Sequence, residues 1–112
     1  MTRRNKYGAK PRYFEGERFA SGRELTRWLI LRERERRGEI SELKRQVRYE
    51  LAPSVKIAGE KRARPALRFT VDFQYVEDGE LVIDDAKGKT DTAFRIRQHL
   101  MKSVHNLDVV IS

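Results

Sequence analysis

The sequence predicts a mixed α/β domain with one sheet, and three observations carry that expectation. A helical stretch with a capping serine runs from Ser21 to about Arg37. An alternating run, ALRFTVDFQYV, leads through Asp78-Gly79 into a second extended run, ELVIDDAK. A second amphipathic helix, from about Asp91 to Ser103, precedes a short final strand, Leu107–Ile111. The order helix, strand, hairpin, helix, strand is that of one layered domain. A chain of 112 residues holds one such core and little more.

The first fourteen residues read as a basic arm, with the folded domain spanning 15–112. Arg3, Arg4, Lys6, Lys10 and Arg12 crowd this segment, and Gly8 and Pro11 break any periodicity. Such an arm can lie along phosphates, and an ordinary frayed terminus has the same composition. In the first helix Leu25, Trp28, Leu29 and the stem of Arg32 share a face, and Gly38 is placed to end it. Ile40 and Leu43 read as packing residues in a short turn or helix. Val47, Tyr49 and Leu51 then alternate as a strand does. Residues 53–65, with Pro53, Gly59 and Pro65, form a loop or ragged hairpin whose Lys56, Lys61, Arg62 and Arg64 make a second basic patch.

In the strongest strand signal, Leu67, Phe69, Val71, Phe73 and Tyr75 alternate with Arg68, Thr70, Asp72 and Gln74. One face is apolar and the other polar. Phe94, Ile96, Leu100 and Met101 are the packing residues of the second helix.

Twenty-five Lys and Arg against 17 Asp and Glu give a formal charge of +8. That excess favours a polyanionic partner, because neutralising phosphates releases counterions. No cysteine is present, which excludes disulfides, thiolate metal sites and cysteine nucleophiles. Two histidines, His99 and His105, follow no ligand spacing. A metal site must therefore use oxygen ligands, which suits Mg²⁺ or Mn²⁺. No apolar run approaches the roughly 18 residues of a membrane span, so the expectation is a soluble, cytoplasmic protein without membrane contact.

The chemistry is concentrated in the hairpin. With Asp78 and Gly79 as its turn, Glu77 faces Glu80 and cross-strand numbers sum to 157. Asp72 then meets Asp85 and Thr70 meets Lys87, with Asp72, Asp85 and Lys87 on one face. Like charges directly opposite each other are destabilising unless a cation joins them. Two carboxylates holding a hard divalent ion, with a lysine beside them, are the minimal set for phosphodiester hydrolysis. A one-residue bulge would instead bring Asp84 opposite Asp72. The unbulged register turns Asp84 towards the apolar side, opposite Phe73, where it needs a donor.

Asp72 within TVDF, followed thirteen residues later by Asp85-Ala86-Lys87-Gly88, resembles the PD-(D/E)xK nuclease signature. More narrowly, KYGAK, SGRELTRWLILRERERRGEIS, the hairpin and FRIRQHLM together resemble small phage-encoded endonucleases related to phage Holliday-junction resolvases. Val71 stands where the signature has proline, and Asp85 where glutamate is commoner. The resemblance implies a restriction-endonuclease-like core with a mixed central sheet and flanking helices. It also implies Mg²⁺-dependent hydrolysis of branched or junction DNA, a homodimer, and a phage protein acting in the bacterial host cytoplasm.

A further implication is a metal-site glutamate on the first helix, which here is Glu24. Ser21-Gly22-Arg23-Glu24 is also a capping box, and the two roles can be shared. Lys89, Thr90, Arg95, Arg97 and Gln98, just beyond the hairpin, join the arm and the 61–64 patch as candidate DNA contacts. The alternatives are a nuclease acting on unbranched DNA and a non-catalytic DNA-binding protein on the same fold.

Overall fold

A computed structural model describes residues 10–112. Its order is β1 (Arg12–Phe14), β2 (Glu17–Phe19), α1 (Gly22–Arg36), β3 (Ser41–Ala52), β4 (Leu67–Glu77), β5 (Glu80–Asp85), α2 (Thr92–His105) and β6 (Val109–Ile111). Arg3, Arg4 and Lys6 of the expected arm lie outside the described residues. Arg12–Phe14 of the arm form β1, paired with β2 through a turn in which Glu15 and Gly16 have positive φ.

Four strands make one mixed sheet in the order β3-β4-β5-β6. The first two pairings are antiparallel and β5–β6 is parallel, the α2 crossover joining the parallel pair. Asp78 and Gly79, at φ 52° and 77°, supply the left-handed conformations of a tight hairpin turn. Observed pairs from Glu77↔Glu80 to Phe73↔Asp84 keep the sum of 157, so the unbulged register holds that far. The expected pairs Asp72–Asp85 and Thr70–Lys87 are not formed, because the pairing ends there and β5 stops at Asp85.

The helices cover opposite faces. Val82 and Ile83 are neighbours on β5, so they point to opposite sides. Val82 packs with Leu31 of α1, Ile40, Phe73 and Tyr75; Ile83 packs with Phe94 and Met101 of α2 and with Val109. The apolar residues of β4 do not all serve one face, as their alternation had suggested. Phe69 and Val71 belong to the α2 cluster, whereas Phe73 and Tyr75 belong to the α1 cluster. Residues two apart on an unbroken strand share a face, so β4 changes face at Asp72. Opposite Asp72, between the pairs Val47↔Val71 and Arg45↔Phe73, lies Gln46 at φ 54°.

In α1, Ser21 caps the first turn, accepting the Glu24 N–H at 3.2 Å, and Gly38 follows the last turn at φ 78°. The inward stripe is Glu24, Arg27, Trp28 and Leu31, while Leu29 is exposed. Two charged residues in that stripe explain why Leu29 looked like core. The helix is turned so that Glu24 and Arg27 reach buried polar partners. In α2, Phe94 and Met101 are buried and Ile96 faces out. Leu43 lies within β3 rather than in a separate turn or helix, because an irregularity between Ser41 and Lys44, with Glu42 at φ 55°, lets the strand start early. Among the described residues, no helix is long and apolar enough to cross a membrane.

Candidate functional site

β5 stops at Asp85, but β4 runs on to Leu67 with only β3 beside it. The notch beyond the end of β5 is a cavity of about 790 Å³. The start of α1 (20–24), the unpaired flank of β4 (68–72), the chain leaving β5 (85–89) and Arg97 of α2 line it. Glu24, Asp72, Asp85 and Lys87, named from the sequence, all lie in its wall.

The two aspartates hold each other's strand ends. Asp72 N–H donates to Asp85 Oδ1 at 2.9 Å, and Ala86 N–H donates to Asp72 Oδ2 at 2.9 Å. Each carboxylate keeps one oxygen that accepts no described backbone bond. Burial raises the Asp72 carboxyl to about 8, and the negative charges of Asp85 and then Glu24 add to the rise. Asp85 is also raised, first by burial, although the Asp72 N–H and the Lys87 charge oppose the shift. Both shifts favour the protonated carboxyl over the carboxylate, most strongly at Asp72.

Glu24 is 4% exposed. The capping box is half formed: Ser21 takes the Glu24 N–H, while the Glu24 carboxylate turns to β3. Its Oε1 accepts from Arg45 Nη2 at 3.1 Å and from Gln46 Nε2 at 3.2 Å. Oε2 accepts no described bond. Arg45 is itself clamped, with its guanidinium 3.8 Å over the Phe19 ring and bonds to Glu17 and the Arg18 carbonyl. Its charge compensates a buried carboxylate that would otherwise be costly. Lys87 Nζ lies 5.3 Å from the Phe94 ring centroid, an apolar brace for a lysine beside Asp85.

The donor set is all oxygen, which fits a hard divalent ion such as Mg²⁺ or Mn²⁺. Two carboxylates are pre-oriented by N–H donors and the third by side-chain donors, each leaving an oxygen over. As placed, no three His, Cys, Asp or Glu side chains among the described residues form a group that could hold a metal ion. The aspartates meet as a pair, while one Glu24 oxygen is taken by Arg45 and Gln46.

Above these acids the cavity wall is cationic, with Arg23, Arg68, Lys87, Lys89 and Arg97. Of the candidate DNA contacts in the described residues, only Lys89 and Arg97 are in that wall. Thr90 and Arg95 are exposed outside it, and Gln98 donates to the Val109 carbonyl at 3.2 Å, tying α2 to β6. Lys10 and Arg12 are exposed before β2, and Lys61, Arg62 and Arg64 lie on the β3–β4 loop. Sequence reasoning missed Arg23, Arg68, Arg45 and Gln46 as site residues. Arg68 had a signal, since it alternates with Thr70 and Asp72; Arg23 was hidden inside the capping box.

Asp84, on the other face, does find its donor. It is fully buried, and Oδ2 accepts from Arg27 Nε and Nη2 at 3.0 and 2.8 Å and from the Tyr75 hydroxyl at 3.0 Å. Ser112 Oγ donates to Oδ1 at 2.6 Å. This separates the two adjacent aspartates: Asp84 anchors α1 and Asp85 faces the cavity.

Fold and cavity together define a small mixed α/β protein with a carboxylate-floored, cation-rimmed cleft at the end of a central strand. The chain belongs to the DUF1064 family, described as proteins of unknown function, whose pattern matches residues 4–110. No curated protein and no solved structure matches it.

Proposed function

We propose that this protein is a divalent-metal-dependent DNA endonuclease of the PD-(D/E)xK type, acting on branched or junction DNA, as the sequence resemblance implies. The observation that carries the reading is the meeting of Asp72, Asp85, Glu24 and Lys87 in one cavity under a rim of arginines and lysines. Burial disfavours the charged form of both aspartates, and a divalent cation between them would compensate that cost.

A bound Mg²⁺ or Mn²⁺ would supply a water activated near neutral pH and offset charge on the phosphoryl oxygens. Asp72 and Asp85 would hold the ion, with Glu24 as a third carboxylate from α1. The Lys87 ammonium orients the attacking water and offsets charge developing in the transition state. Arg23, Arg68, Lys89 and Arg97 grip the phosphates flanking the scissile bond. A homodimer and phage origin belong to the same resemblance.

The direct test is incubation of a labelled four-way junction and its matched linear duplex with Mg²⁺, Mn²⁺ or EDTA. Metal-dependent cleavage with preference for the junction is expected. Equal cleavage of both would keep the nuclease and remove the junction specificity. Binding without cleavage under every condition would leave a DNA-binding protein on this fold.

A further inference from the structure

β4 and β3 continue past the end of β5 as a two-stranded ribbon, closed by residues 53–66. That tip is ordered into a ragged hairpin. Val55 bridges Arg64, Ser54 Oγ donates to the Arg64 carbonyl at 2.6 Å, and Glu60 N–H turns back to Ile57 O at 3.0 Å. It carries Lys56, Lys61, Arg62 and Arg64 against a single acid, Glu60, which pairs with Arg64. Lys56, Lys61 and Arg62 are exposed and enter none of the described ion pairs. Val55 and Ile57 are 48% and 40% exposed among these charges.

The ribbon springs from the cavity. Arg68 and Asp72 line the cavity wall, and the strand between them runs on into the tip. Five residues of strand from Asp72 to Leu67 span about 17 Å at ~3.3 Å per residue. At about 3.4 Å per base pair, the tip stands at least about five base pairs from the two aspartates.

We propose that this ribbon is a second DNA-docking surface, which grips the backbone of duplex DNA at least about five base pairs from the cavity. Lys56, Lys61 and Arg62 contact phosphates, and Val55 and Ile57 pack against sugar edges between them. The proposal rests on DNA as the partner of the cavity and not on cleavage. Its expected signature is affinity without chemistry: the tip adds binding energy equally to ground and transition states, raising KM when lost and leaving kcat alone.

The test uses the full chain and a fluorescent 30-base-pair duplex in EDTA, followed by anisotropy over a salt series. The double variant Lys61→Gln/Arg62→Gln is compared with wild type and with Arg36→Gln/Arg37→Gln, which removes equal charge from the far end of α1. Loss of the tip charges should weaken binding about tenfold near 0.1 M salt and flatten the salt slope by about two, while the helix variant changes neither. Unchanged affinity and slope for the tip variant overturns the proposal. Equal losses in both variants overturn it too, by making the effect one of net charge, as does a wild type that binds no duplex. Cleavage separates the two readings. Tip-dependent binding by a protein that never cuts keeps the ribbon and discards the nuclease. Metal-dependent cutting with tip-independent binding does the reverse.

Discussion

Asp72 and Asp85 are linked crosswise: the Asp85 carboxylate accepts the Asp72 N–H, and the Asp72 carboxylate accepts the N–H of Ala86, the residue after Asp85. Neither carboxylate can swing away without breaking a bond across the strand end. The two acids are thus held together at the point where β4 changes face. Burial there drives both pKa values upward, and the Asp85 charge adds to the rise of Asp72.

The first prediction concerns pH. The folded-state Asp72 carboxyl is raised to about 8 from an ordinary value of 3.8. The folded protein therefore binds more protons than the unfolded chain between these values, and stability falls as pH rises through that window. In EDTA, Asp72→Asn should gain on wild type as pH rises from 5 to 9. By pH 9 the advantage should reach several degrees in Tm, equivalent to at least about 1 kcal/mol. Thermal unfolding of both proteins over that range checks it. A constant difference would show that the aspartates ionise normally.

A divalent ion should reverse this penalty. Saturating Mg²⁺ or Mn²⁺ at pH 8 should raise the wild-type Tm, since ligand at about 100 times its Kd adds about 2.7 kcal/mol. The shift should vanish in Asp72→Asn and in Asp85→Asn. Differential scanning fluorimetry with Mg²⁺, Mn²⁺ and EDTA arms reads the effect without any DNA.

Gln46 offers a test of Glu24 that leaves the backbone alone. At φ 54°, position 46 tolerates asparagine, whose shorter side chain cannot reach Glu24. Gln46→Asn should keep the fold while weakening divalent-ion affinity roughly tenfold, the usual effect of losing a residue that orients a ligand. Calorimetric titration with Mn²⁺ is the measurement. Unaltered affinity would confine Glu24 to a structural role.

Arg27 tests the division of labour between neighbouring aspartates. Arg27→Met would leave the fully buried Asp84 without its cation, at a cost of about 3 kcal/mol. Adding Asp84→Asn should recover part of that loss. Urea unfolding of the single and double variants reports the coupling.

Much of this site was legible in the sequence because one turn determines it. Asp78-Gly79 sets the register by counting as far as Phe73↔Asp84, and just beyond the last pair Asp72 and Asp85 meet through backbone-to-carboxylate bonds. Lys87 was placed by alternation opposite Thr70, but β5 ends at Asp85, and Lys87 reaches the cavity wall from the chain beyond the strand. Glu24 came from family resemblance, since its pattern alone supports a cap. What surrounds Glu24 was not legible. Nothing in the residue pattern marks Gln46 as left-handed, and Arg45 reads as an ordinary exposed strand residue. The β1–β2 hairpin escaped because its strands have three residues each and Glu15-Gly16 is a weak turn signal. The inward stripe of α1 was misread because Glu24 and Arg27, two of its four members, are charged.

The most direct test of the central claim compares wild type with Asp72→Asn and Lys87→Ala for cleavage and for binding of the same labelled junction DNA. With Mg²⁺, the wild type should cut. Asp72→Asn should lose cleavage while keeping DNA affinity, and Lys87→Ala should fall by about 10²–10³-fold, as for loss of a transition-state donor. Wild-type cleavage that persists in Asp72→Asn, or that survives EDTA, would contradict the account.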